Sequence, residues 1–179
     1  PLEKLDEMGR SNPEVKALAN EIREAMEAAG TGPKAVLATE RDLSPDEPDP
    51  VLQGRHILVA DNEAVVVQGL TKLLKANGVT VTACDGGAQA ISAFTESHAQ
   101  GQCPDLVLTD IRMPDRNGYE VFRGVREIAP EVPVVLMTGF GYDPSHSIIR
   151  ATEEGMHAVL FKPIPVPRLF EVMKSAFSD

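Results

Sequence analysis

HILVADNEAV, residues 56–65, sets an apolar run directly against three polar residues. Ile57, Leu58, Val59 and Ala60 read as a strand buried on both faces, because the run shows no alternation. Asp61, Asn62 and Glu63 then interrupt it, and apolar residues resume at Ala64 with helical spacing. A buried strand that ends in polar acceptors before the next helix has begun places those acceptors at one edge of a sheet.

The same pattern recurs downstream. Strands are expected at 56–60, 79–84, 105–110, 132–138 and 158–161, and helices at 63–76, 87–99, 118–129, 145–154 and 166–177. Asn77-Gly78 and Gly155 supply stop signals. Alternation of this kind predicts an α/β fold, and right-handed crossovers favour a doubly wound, five-stranded parallel sheet of order 2-1-3-4-5, flavodoxin-like in topology. In such a sheet strands 1 and 3 are neighbours at the switch point, where ligands bind outside the carboxyl ends of the strands. Asp61-Asn62, Asp110, Thr138 and Lys162 all fall at strand ends. Each alone reads as a turn or cap residue. Together they put two acids, an amide, a hydroxyl and an ammonium around one crevice.

The strings ILVADNE, DLVLTDIRMPDRNGYEVF, VPVVLMTG and FKPI resemble the receiver domain of two-component response regulators, over roughly residues 54–179. The Asp110-x-x-Met113-Pro114-x-x-x-Gly118 string and the Lys162-Pro163 pair carry the resemblance most specifically. It implies that Asp110 is the phosphoacceptor, attacking a phosphohistidine as a carboxylate nucleophile. It further implies Mg²⁺ held by Asp61, Asn62, Asp110 and the backbone carbonyl of Arg112. Lys162 would neutralise a phosphoryl oxygen, and Thr138 would donate its hydroxyl to the phosphoryl group. Partners by the same resemblance are a sensor histidine kinase or a phosphotransfer protein.

The chain departs from the family pattern in two places. Asn62 stands where a second acid is usual, so weakened Mg²⁺ affinity is expected. Glu63 is expected to support the helix dipole. Val159, three before Lys162, stands at the switch position where Tyr or Phe is frequent, and a valine cannot rotate in and out as an aromatic does. Arg112 and Phe140, two after Asp110 and Thr138, are expected to flank the phosphoryl group and slow its hydrolysis. Tyr142 lies in a long aromatic loop, residues 139–147, where a surface position is the expectation.

Residues 1–53 divide off as a helical extension and an acidic, Pro-rich linker ahead of a receiver domain at 54–179. Asn12-Pro13-Glu14 is a helix start, and Val15, Leu18, Ile22, Ala25 and Met26 form an apolar stripe ended by Gly30. This segment fits the tail of a preceding domain in a hybrid histidine kinase, whose C-terminal receiver the chain would be, or an element of homodimerisation. No histidine precedes His56, so it is not a phosphohistidine donor. The chain ends about where a fifth helix should end, so no DNA-binding output module is expected.

Composition bounds the remaining possibilities. The net charge is −10 over 179 residues. An acidic chain without a basic stripe argues against nucleic acid and against an anionic membrane surface. No apolar run approaches the ~20 residues that span a bilayer. Cys84 and Cys103 lack Cys-x-x-Cys spacing and suit a reducing cytoplasm, and the four histidines lack metal-ligand spacing. Gly86-Gly87 is not a phosphate loop, since no Gly-Lys-Ser/Thr follows. Two other readings compete. A degenerate receiver would bind partners without phosphorylation, as Asn62 and Val159 favour. A phosphatase of the haloacid-dehalogenase type would use Asp61 as nucleophile, but it needs acids after the lysine, where only Glu171 and Asp179 occur.

Overall fold

The computed structural model describes residues 48–139 and 150–178. The N-terminal helix expected at 12–30, Phe140, Tyr142 and the first half of the helix expected at 145–154 lie outside them. Five strands run β1 (His56–Ala60), β2 (Thr80–Cys84), β3 (Leu106–Asp110), β4 (Val134–Thr138) and β5 (Ala158–Phe161). Helices α1 (Ala64–Ala76), α2 (Gly87–Ala99) and α3 (Gly118–Ile128) follow the first three strands, and α4 (Val166–Ala176) follows the fifth. Residues 150–153 are also helical. The sheet is parallel throughout in the order β2-β1-β3-β4-β5, as expected.

The apolar runs of β1, β3 and β4 are buried on both faces because helices cover both. Leu58, Val107, Leu136 and Val159 meet Phe94 of α2 and Val121, Phe122 and Val125 of α3 on one side. Ile57, Val59, Leu108, Met137 and Leu160 meet Leu70, Leu73 and Leu74 of α1 and Leu169, Val172 and Met173 of α4 on the other. Each such side chain, removed from water, contributes about 1.5–3 kcal/mol. β2 is one of the two edge strands; its Thr80 and Ala83 are exposed, and Val81 and Thr82 are half-buried.

Local signals set the helix boundaries. Asn77 closes α1: its backbone N–H donates to Leu74 O, and its side-chain Nδ2 to Leu73 O at 3.0 Å. Gly78 then takes φ +76°, a region that favours glycine. Asn117 opens α3 with a capping box: its side chain accepts from Glu120 N at 3.0 Å, while Glu120 Oε2 accepts from Asn117 N at 2.9 Å. Cys84 is buried, as expected, and burial pushes its thiol up to about 11.

The amino-terminal end of the sheet is closed by residues that the sequence assigned to the linker and its margin. Leu52 is fully buried against the α1/α4 side of the core. Asp49 pairs with Lys174 of α4. Asp105 accepts from His56 N at 2.7 Å and from the Arg55 guanidinium at 3.2 Å, and that guanidinium lies 4.5 Å from the centre of the Phe177 ring.

Candidate functional site

At the carboxyl ends of β1 and β3 the strand order reverses, and two carboxylates converge there on one ammonium. Lys162 Nζ lies 2.7 Å from Asp61 Oδ2 and 3.0 Å from Asp110 Oδ1. Each carboxylate uses its other oxygen on its own loop: Asp61 Oδ1 accepts from Glu63 N at 2.8 Å, and Asp110 Oδ2 accepts from Arg112 N at 2.9 Å. Lys162 itself follows β5, and its backbone N–H donates to Thr138 O at 2.7 Å. A cis peptide bond joins Lys162 to Pro163.

All three groups are buried: Asp61 is 0% exposed, Asp110 3% and Lys162 8%. Burial raises the Asp110 pKa above the ordinary carboxyl value, and the Asp61 charge adds to this, while Lys162 pulls against it. For Lys162, burial opposes the charge, but the hydrogen bond and charge of Asp61, with Asp110 behind them, outweigh it and hold the ammonium above its ordinary pKa.

Glu63 stands at the start of α1, where dipole support is expected, and the structure adds a contact with Lys162. It is the N-cap residue of α1 without a side-chain cap bond, and its exposed carboxylate accepts from Lys162 Nζ at 3.2 Å. Three carboxylates around one ammonium leave the cluster at a formal −2. Asn62 is exposed beside it.

An open cleft of about 620 Å³ lies over this cluster, lined by Asn62, Glu63, Asp110, Arg112, Met113, Pro114, Gly139 and Lys162 among others. Asp61 and Thr138 do not line it. Asp61 forms its buried support. Thr138, 2% exposed, donates its hydroxyl to Gly139 O at 3.3 Å. Val159 is buried in the core as the strand partner of Leu136, below the level of the cleft. The strand partner of Thr138 is Phe161, partly buried on the same face as Val159. Gly118 closes the loop by close approach: a Cβ there would stand 2.5 Å from Asp110 O.

The donor atoms around the cleft are hard oxygens, which suit Mg²⁺ and not a thiophilic metal. Among the described residues no group of three or more His, Cys, Asp or Glu is arranged to hold a metal ion. Glu63 and Asp110 bring anionic oxygens to the cleft, whereas Asn62 and a backbone carbonyl would be neutral donors.

The sequence model of the response regulator receiver domain matches residues 57–174. The chain belongs to the response-regulator receiver family. It is 32% identical over 127 residues to the polar-differentiation response regulator DivK of Brucella ovis, covering 70% of this chain and 98% of DivK. It is 26% identical over 124 residues to the transcriptional regulatory protein GlrR of Escherichia coli K12, where the match covers 69% of this chain and 26% of GlrR. Among solved structures, a response regulator receiver domain protein from Clostridium thermocellum superposes with a TM-score of 0.62 at 29% identity, covering 69% of this chain and 94% of that one. Membership in this family supports a phosphoacceptor signalling role. Among the described residues no helix is long and apolar enough to cross a membrane.

Proposed function

We propose that this receiver takes a phosphoryl group from a phosphohistidine of a sensor kinase or phosphotransfer protein onto Asp110, with Mg²⁺, and thereby switches a protein-interaction face. The observation that carries the proposal is the position of Lys162 Nζ, within 3.0 Å of Asp110 Oδ1 and 2.7 Å of Asp61 Oδ2, on the cleft floor.

A carboxylate oxygen of Asp110 attacks phosphorus. The P–N bond breaks, and its electron pair stays on the imidazole nitrogen of the donor. Arg112 N, already donating to Asp110 Oδ2, fixes the carboxylate plane. Once Asp110 is an acyl phosphate it has lost its carboxylate charge, and Lys162 follows the negative charge onto a phosphoryl oxygen. Asp61, Asp110, Asn62 and the Arg112 carbonyl are the groups that would hold Mg²⁺. Bound there, it supplies charge neutralisation to the phosphoryl oxygens. Thr138 is one strand end away, and its hydroxyl, which donates to Gly139 O at 3.3 Å, would turn to the phosphoryl group. The added charge of about −1.5 to −2 is the signal that the surrounding surface reads.

Incubation with phosphoramidate, a small P–N donor, in Mg²⁺ tests the assignment. Peptide mapping is expected to place the phosphoryl group on the Asp110 peptide, and a label elsewhere contradicts it.

A further inference from the structure

Gly86-Gly87 has no role in phosphate binding, but it has a partner in the fold. Gly86 is the N-cap of α2 and offers no capping side chain. The cap comes instead from the loop that leaves Asp110. Asp115 Oδ1 accepts from Gly87 N at 3.1 Å, and Asp115 Oδ2 accepts from Ala88 N at 2.8 Å. Both glycines are needed for this approach. A Cβ on Gly87 would stand 2.2 Å from Arg116 O and 2.8 Å from Arg116 Cβ, and one on Gly86 would stand 2.9 Å from Asp115 Oδ2.

We propose that Asp115 is a positioning residue: it clasps the first turn of α2 and so holds the 111–117 loop, with Arg112, over Asp110. The proposal rests on the phosphoacceptor reading for its catalytic consequence. The loop is fixed at its start by Arg112 N on Asp110 Oδ2 and at its end by the Asn117 capping box and the contact of Gly118 with Asp110 O. Asp115 anchors the middle. Ile111, Arg112, Met113 and Pro114 form one wall of the cleft, so the clasp sets where that wall stands relative to Asp110 and Lys162. The backbone N–H of Ala88, with further backbone donors, holds the Asp115 carboxyl below its ordinary pKa, consistent with a carboxylate committed to these donors.

The test uses the full chain as wild type, Asp115→Ala and Asp115→Asn, which retains one acceptor oxygen. Two quantities are read: the rate of phosphorylation by acetyl phosphate in Mg²⁺, and amide hydrogen exchange at Arg112 compared with β4 and α4. Misplacement of a reacting group by 1 Å can cost about a hundredfold in rate, so Asp115→Ala is expected to slow phosphorylation by about tenfold or more. It is also expected to speed exchange at Arg112 while β4 and α4 keep their protection, with Asp115→Asn intermediate in both readings. Gly87→Ala should reproduce the alanine variant. The proposal is overturned if Arg112 exchange and the phosphorylation rate stay at wild-type values, or if protection falls uniformly across the fold. If the wild type takes up no phosphoryl group, the phosphoacceptor reading fails on its own, and exchange at Arg112 still decides whether Asp115 holds the loop.

Discussion

Lys162 Nζ lies closer to Asp61 Oδ2, at 2.7 Å, than to Asp110 Oδ1, at 3.0 Å. The ammonium is therefore shared between the proposed acceptor and a buried acid that does not line the cleft. This arrangement keeps two carboxylates at the switch point without a metal. It also ties stability and chemistry to the same side chain.

Removal of that ammonium leaves two buried carboxylates facing each other. Lys162→Met, similar in length, is expected to destabilise the fold by about 3–5 kcal/mol at neutral pH. Denaturant unfolding measures it. The loss should shrink in acid, where the carboxylates protonate.

Asp110 responds in the opposite direction. Its pKa is higher in the folded chain than the ordinary 3.8, chiefly through burial. The folded state thus binds that proton more tightly than the unfolded state does. Ionisation costs stability above the folded pKa, and the cost vanishes below the unfolded value. Asp110→Asn is expected to melt higher than the wild type at pH 7, with the difference closing as the pH falls toward 3.8. A thermal melt series against pH reads this directly.

Asn62 stands at the proposed Mg²⁺ site, where the absence of a second charge is expected to weaken metal affinity. An added carboxylate about 4 Å from a cation gains several kcal/mol at an effective dielectric near 20, before desolvation and repulsion from Asp61 and Asp110 reduce it. Asn62→Asp is expected to bind Mg²⁺ about tenfold tighter or more. Mg²⁺ titration followed by amide shifts measures it, and equal affinities contradict the assigned ligand position.

Leu52 gives a prediction far from the site. Its side chain is fully buried. Leu52→Ala is expected to cost about 2–5 kcal/mol in denaturant unfolding. A chain cut at residue 54 should lose comparable stability, whereas one cut at 48 should keep it.

The fold was legible in the sequence because both of its signals are local. β1 and β5 match their expected bounds, and the other strands differ only at their first residues. Asp61, Asp110 and Lys162 were legible because topology alone brings corresponding strand ends together. What escaped depends on tertiary contacts between distant segments. Glu63 looked like a helix-start acid, and its contact with Lys162, 99 residues away, has no local sign. Asp115 reaches Gly87 across 28 residues, and neither residue announces the other. Leu52 sits among prolines and acids, a composition that reads as linker.

The central claim is that Asp110 accepts a phosphoryl group in this cluster. The intact mass of the full chain after incubation with acetyl phosphate and Mg²⁺ tests it most directly, with Asp110→Asn alongside. The account predicts a gain of one phosphoryl group in the wild type and none in the variant. An unmodified wild type at saturating Mg²⁺, or an equal gain in both proteins, would contradict it.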